Sequence, residues 1–251
     1  VLIEEAMKKV TTVNHRGCSL YFTTPNPLTR WRAETYSTKE PETLEWIDQM
    51  AEGQILWDVG ANVGTYTVEL QKNSKQVLCF EPLQRNIKLL KILINKNTKY
   101  FSYALGNANK NMNIKIPEIK ANQYDYALSS INNKFKKFKN EKIITKKFDD
   151  LFFKNFLFKK IDFVKIDVEG FEYFVLKGME KTLKKNNPIL LIEIEKRHNK
   201  SFKKTIKLLN NLGYKTYITK DGINLSYLSN EKINKFIQRK KYNNFFFVKN
   251  F

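Results

Sequence analysis

Short apolar runs and amphipathic stretches take turns along most of this chain, and their order predicts a layered α/β fold. Residues 41–50 open the series. Pro41 suits the first turn of a helix, and Leu44, Ile47 and Met50 recur at helical spacing with Trp46 alongside. Residues 54–58 (Gln-Ile-Leu-Trp-Asp) read as a short buried strand ending in an acid, 60–64 as a turn and 65–72 as a helix. A second strand over 76–80 runs into Glu81 and Pro82, and the helix predicted over 83–95 turns Ile87, Leu90 and Ile94 to one side. Residues 100–105 make a third strand. The alternation resumes with a strand over 161–166 that ends in Asp167, a helix over 171–184 and a strand over 188–194. A helix over 201–212 stopped by Gly213, a strand over 214–219 and a closing strand over 244–249 complete it.

Two stretches fall outside this rhythm. Residues 1–40 carry turn signals at Thr24-Pro25-Asn26-Pro27 and little periodicity, and are expected to lie as an N-terminal extension on a domain formed by residues 41–251. Residues 107–147 hold short β-like pieces at 112–116 and 142–145 around a Lys-rich stretch, and are expected to form an antiparallel excursion. Strands that alternate with helices over short connections pair in parallel, so the rest predicts a mostly parallel sheet with helices on both faces. Ligands of such sheets collect beyond the carboxyl ends of the strands. Asp58, Glu81, Asp167 and Glu193 would then share one rim.

The strand-to-helix turn on that rim reads Asp58-Val59-Gly60-Ala61-Asn62-Val63-Gly64. Glycines there permit positive φ and let a ligand approach the backbone. The G-x-x-x-G spacing is not the G-x-G-x-x-G of a dinucleotide site, and the Gly-Lys-Ser/Thr of a phosphate loop is missing. Asp58 would repel a phosphate but suits a sulfonium that carries an ammonium group, and Glu81 is placed to accept both hydroxyls of a ribose. S-adenosyl-L-methionine combines those features. Its expected contacts are Asp58, Gly60, Ala61, Asn62, Gly64, Glu81 and Pro82.

That turn, with Phe80-Glu81-Pro82, Ala104-Leu105-Gly106-Asn107 and Lys165-Ile166-Asp167-Val168-Glu169-Gly170-Phe171-Glu172 in the same order, resembles FkbM-like methyltransferases over roughly residues 36–195. Lys39-Glu40-Pro41-Glu42-Thr43 is similar to the family too. The resemblance implies a Rossmann-like, seven-stranded sheet whose last strand is antiparallel. It further implies methyl transfer to oxygen on a small acceptor such as a sugar or polyketide, with Asn107 on the adenine side of the cofactor. A further catalytic domain ahead of Val1 is compatible with it.

Methyl transfer to a sugar hydroxyl needs a general base, a cation that lowers the hydroxyl pKa, or both. Asp167 and Glu193 end neighbouring predicted strands, and their hard oxygens suit Mg²⁺, Mn²⁺ or Fe²⁺. His198, five residues beyond Glu193, is expected to complete the ligand set or to act as the base. Asp167 and His198 are therefore the expected catalytic pair, and Asp167, Glu193 and His198 the expected metal ligands. Glu169 and Glu172 equally suit capping of the helix that follows them.

Charge changes the picture only at the acceptor. The net charge of +20, from 45 Lys and Arg against 25 Asp and Glu, keeps an RNA methyltransferase open as the alternative. So do the aromatics beside lysines at Phe135, Phe138, Phe148, Phe152, Phe153 and Phe156. The cations are mostly scattered lysines, however, with little Arg and no Asn-Pro-Pro-Tyr motif. A nucleotide-linked sugar of the surface-polysaccharide type is the expected partner, and a homodimer is compatible with the sequence. A basic binding module with a relic cofactor fold is the third reading. Cys18 and Cys79 make no disulfide framework, which points to the cytoplasm. No apolar run approaches the ~20 residues of a membrane span, and residues 1–9 do not form a signal peptide. The start at Val1 reads as a processed chain or a piece of a longer one.

Overall fold

The computed structural model of the protein describes residues 9–15, 17–24, 27–50, 52–120, 123–126, 128–131, 136–154, 160–195, 200–239 and 243–249. Strands β1 (Val10–His15) and β2 (Cys18–Thr23) form an antiparallel hairpin, and helices Pro27–Glu34, Tyr36–Lys39 and Pro41–Met50 follow. Strands β3 (Ile55–Val59), β4 (Gln76–Phe80) and β5 (Thr98–Phe101) then alternate with helices Thr65–Asn73 and Gln84–Leu93. Next come β6 (Ala104–Gly106), β7 (Lys110–Lys120), β8 (Gln123–Tyr124) and β9 (Phe138–Lys147). After helix Phe148–Lys154 the alternation returns with β10 (Phe163–Ile166), β11 (Ile189–Glu193), β12 (Lys215–Thr219), β13 (Leu225–Leu228) and β14 (Asn244–Val248).

The main sheet has the order β13-β12-β14-β11-β10-β3-β4-β5. Strands β11, β10, β3, β4 and β5 are parallel, and β14 runs antiparallel to both β11 and β12. This is the Rossmann-like sheet of seven strands with its last strand reversed, extended at one edge by β13. The central strands are apolar throughout because both faces are covered. Trp57, Val59, Val164, Ile166, Leu190 and Ile192 face one layer, where Val175, Leu176, Ile206 and Leu209 pack on them. The alternate positions Leu56, Val77, Phe163, Leu191 and Phe246 face the other, under Trp46, Ile47, Leu70 and Leu90. Each such side chain contributes about 1.5–3 kcal/mol when fully buried. Among the described residues no helix is long and apolar enough to cross a membrane.

Several elements differ from the sequence expectation. The strand expected over 100–105 divides: β5 stays in the main sheet, while β6 leaves it to pair in parallel with β9. The segment around 107–147 holds a long antiparallel pair, Lys110 opposite Thr145 through Pro117 opposite Phe138, in a second sheet of order β6-β9-β7-β8. The helix expected over 171–184 is two helices, Glu172–Gly178 and Glu180–Asn186. They divide where Gly178 crosses β6, so closely that a Cβ would stand 1.8 Å from the Gly106 carbonyl oxygen. Helix Asn230–Arg239, with Ile233, Phe236 and Ile237 at helical spacing, is additional to the elements expected from the sequence. The aromatics of the basic stretch separate as well. Phe148 and Phe152 enter the core against Trp57, Phe138 and Phe153 are exposed, and Phe135 and Phe156 lie outside the described residues.

Candidate active site

β3 and β10 lie side by side where the strand order reverses, because the chain runs outward through β4 and β5 before returning to β10. Ligands of open α/β sheets occupy such a switch point. The Asp167 amide, just past β10, donates to the Val59 carbonyl at 3.0 Å and ties the two strand ends together. The turn after β3 is left-handed at Gly60 (φ 86°), Asn62 (φ 53°) and Gly64 (φ 90°). A Cβ on Gly60 would stand 1.9 Å from the Asp167 carbonyl oxygen. The tight approach that requires glycine there is thus between two loops of the protein itself. The Gly60 and Ala61 amides both donate to the Phe80 carbonyl, at 2.9 and 3.2 Å.

Around this turn stand two buried acids. Asp58 Oδ2 accepts the Thr67 hydroxyl at 2.7 Å, whereas Oδ1 is buried with no hydrogen-bond partner among the described residues. Burial pushes the Asp58 pKa up, against the opposing pull of Lys165 and the Thr67 hydroxyl. A buried acceptor without a donor costs roughly 1–3 kcal/mol, so a ligand ammonium would find a partner waiting. Glu81 Oε2 accepts the Asn62 amide at 3.0 Å; Oε1 accepts the Leu83 amide at 2.8 Å and Asn86 Nδ2 at 3.3 Å. Burial outweighs these donors and raises its pKa to about 7. With Oε1 doubly occupied, the lone pair left for a ribose hydroxyl belongs mainly to Oε2. Pro82 lines the same cavity, but Asn107 is exposed and does not. The departure of β6 from the main sheet carries it away from the rim.

A second group of charges gathers on β10 and β11. Lys165, opposite Asp58 in register, is buried; its Nζ lies 3.1 Å from Asp167 Oδ2 and 4.3 Å from the centre of the Tyr66 ring. Burial favours neutral Asp167, but Lys165, a hydrogen bond from Glu193 and Lys39 outweigh it and hold its pKa down to about 2. Glu193 moves the other way. Burial and then the Asp167 charge push its pKa well up. Carboxylate oxygens of Asp167, Glu169 and Glu193 lie within 4.8 Å of one another. Glu169 has φ 50° and stands outside the following helix, whereas Glu172 accepts the Gly170 amide at 2.9 Å at that helix's start. Of the two acids, only Glu172 lies in the first turn of that helix. His198 lies outside the described residues. A second trio, His15, Asp48 and Glu69, does not line the cavity that the Asp58–Glu81 and Asp167–Glu193 groups share; Lys72 is 3.0 Å from its Glu69 and 3.6 Å from its Asp48.

Both groups open into one cavity of ≈ 400 Å³. Part of its lining lies outside the residues expected from the sequence. Trp31, 49% exposed, stands on the lip with Arg32, and Lys39 and Glu40 follow from the next helix boundary. Glu40 accepts hydrogen bonds from the Tyr66 hydroxyl and from Asn244 Nδ2, the latter at 2.6 Å; Asn243 Nδ2 donates to Glu195 at 2.8 Å. The sequence signal for Glu40 was its place in the family-like stretch 39–43. For Trp31 it was a lone tryptophan among polar residues.

Among known families, the model of the methyltransferase FkbM domain matches residues 58–216, from the first acid of the turn into β12. No curated protein matches in sequence. A methyltransferase FkbM of Methylobacillus flagellatus is similar in structure over 78% of this chain and 44% of its own, at 15% identity and a TM-score of 0.49. This chain therefore spans less than half of that protein. Magnesium protoporphyrin IX methyltransferase of Synechocystis, solved with bound SAM, is similar over 90% of this chain and 85% of its own, at 11% identity and a TM-score of 0.45. An rRNA methylase of Streptococcus thermophilus is similar over 82% and 93%, at 12% identity and a TM-score of 0.45.

Proposed function

Because the chain belongs to the FkbM methyltransferase family, we propose that it moves a methyl group from S-adenosyl-L-methionine to a hydroxyl of a carbohydrate or nucleotide-linked sugar. The observation that carries this reading is the cluster of Asp167, Glu169 and Glu193 carboxylates in the same cavity as the Asp58–Glu81 turn. The residues present fit the cofactor: Asp58 Oδ1 lacks a donor, and Glu81 Oε2 has room for one. Bound there, the sulfonium supplies an electrophilic methyl group. Asp58 takes the ammonium, Glu81 a ribose hydroxyl, and the left-handed turn at Gly60–Gly64 shapes the space between them.

At the other end Asp167 accepts the hydrogen bond of the acceptor hydroxyl, directs an oxygen lone pair at the methyl group, and takes the proton that the oxygen gives up once methylation has made it strongly acidic. A carboxylate held near 2 is a weak base, so its main contribution is a fixed negative charge and a fixed position, both set by Lys165. Asp167, Glu169 and Glu193 also fit a hard divalent cation such as Mg²⁺, Mn²⁺ or Fe²⁺, which would lower the hydroxyl pKa. Trp31 offers a flat apolar face to a sugar ring, and the Glu40–Asn244 and Glu195–Asn243 pairs offer directional partners to its hydroxyls. Eight carboxylates line the cavity against three cationic side chains, which suits a cationic cofactor and opposes entry of a polyanion such as RNA. A nucleotide-linked sugar keeps its phosphates at the lip, beside Arg32.

The test is release of S-adenosylhomocysteine with neutral saccharides, nucleotide sugars and rRNA fragments, after chelation and again with each cation added. Turnover on a saccharide, restored by metal, is the expected result. Methylation of rRNA alone would overturn the reading.

A further inference from the structure

Three cationic side chains line the cavity, and two of them already have acidic partners. Lys165 Nζ lies 3.1 Å from Asp167, and Lys39 Nζ lies 3.2 Å from Glu40. Arg32 is different. It makes no hydrogen bond or ion pair among the described residues, although eight carboxylates line the same space. It is also half-buried, so its five N–H donors are partly withdrawn from water without gaining an acceptor. Its place in the last turn of helix Pro27–Glu34 suits the helix dipole, but that role asks nothing of a side chain that borders a cavity.

Trp31, the residue before it, is bare in the same sense. It is 49% exposed, and its ring meets no aromatic or cationic side chain among the described residues. The support under the two is firm. Ala33 and Tyr36 are buried with Leu20 and Phe22 of the β1–β2 hairpin, and the Thr35 amide and hydroxyl donate to the Trp31 carbonyl at 2.9 and 2.8 Å. A flat apolar ring and a planar fork of donors thus stand together where the cavity meets solvent. The fork matches the paired oxygens of a phosphoryl group or a carboxylate. A neutral sugar would cover Trp31 and leave the guanidinium as it is.

We propose that Trp31 and Arg32 form an acceptor subsite that selects saccharides bearing an anionic group, a phosphoryl ester or a carboxylate, over neutral ones. The inference rests on the proposed transfer of methyl to a sugar hydroxyl and narrows its acceptor class. Arg32 takes the anion and Trp31 the apolar face of the ring. The carboxylates deeper in the cavity keep any further negative charge outside.

Initial rates of S-adenosylhomocysteine release are measured with matched sets of one hexose, its 1-phosphate, its uronic acid and its nucleotide-linked form. The wild-type chain is expected to show a kcat/KM about 10–100-fold higher for an anionic member than for the neutral hexose, carried by KM, the range of hydrogen bonds to a charged group. Preference for the uronic acid identifies a carboxylate, and preference for the phosphorylated forms a phosphoryl group. Arg32→Gln is expected to shrink that ratio to about threefold or less. Trp31→Ala is expected to raise KM about 3–10-fold for neutral and anionic members alike and to keep the ratio. Equal rates on neutral and anionic sugars in the wild-type chain would overturn the subsite, and so would an undiminished ratio in Arg32→Gln. An unchanged KM in Trp31→Ala would remove the ring from it. Turnover on no saccharide, with S-adenosylhomocysteine still bound, would instead overturn the sugar reading on which this one rests.

Discussion

The two ends of the cavity are built in opposite ways. The end assigned to the cofactor methionine and ribose comes from residues 58–82, one strand, one turn, one helix and the next strand. The end assigned to the acceptor draws on Trp31 and Glu40, on Asp167, Glu169 and Glu193, and on Asn243 and Asn244, segments more than 200 residues apart. A contiguous cradle has its geometry fixed by local backbone rules, such as positive φ at Gly60 and a strand-to-helix turn. An assembled wall has no local rule, because each residue answers only to the packing of its own element. Shared cofactor chemistry suits the first arrangement, and acceptor specificity suits the second.

The largest effect should come from the residue where the two ends touch. Gly60→Val places a side chain against the Asp167 carbonyl and asks a β-branched residue to hold φ 86°. The φ strain alone costs about 1–3 kcal/mol, and the collision adds to it. Cofactor binding should fall below detection and the melting temperature should drop; a variant with normal binding would show that the loops are free to separate. Next in size, Asp167→Asn should leave binding of S-adenosylhomocysteine within about twofold while turnover falls about 10²–10⁴-fold. Near-normal turnover would remove Asp167 from the chemistry and merge the two ends into one binding site.

A smaller effect belongs to Glu81. In the free protein its pKa is raised to about 7, and a ribose hydroxyl that donates to it favours the ionised form. The bound pKa is therefore lower than the free one, binding releases protons below about pH 7, and affinity rises as pH climbs from 6 to 8. The rise is at most about tenfold per pH unit. Glu81→Gln should flatten that slope. A slope that persists unchanged in the Gln variant would assign the titration to another group, with Asp58 the first to examine.

What the sequence disclosed follows the same division. The sheet was legible because buried parallel strands are apolar at every position and because helical periodicity returned between them. The places of Asp58, Gly60 and Glu81 on the cavity were legible because turn and strand context are local. Asn107 misled because a departure from the main sheet at Ala104 has no sequence mark. The long β7–β9 pair was read only in fragments, since Pro117 and a Lys-rich connection interrupt its alternation. By sequence Glu169 suits a helix cap as well as Glu172 does; its positive φ and the approach of Glu193 from another strand give it a different place. Trp31 and Glu40 belong to the stretch expected to be an extension, yet they line the same cavity as Asp167.

The division of labour between the two ends is tested most directly by one calorimetric titration. S-adenosylhomocysteine is added to the wild-type chain, to Asp58→Ala and to Asp167→Asn at a single pH. Binding of one molecule per wild-type chain, lost in Asp58→Ala and kept in Asp167→Asn, is the predicted result. No binding by the wild-type chain, or equal loss in both variants, would contradict it.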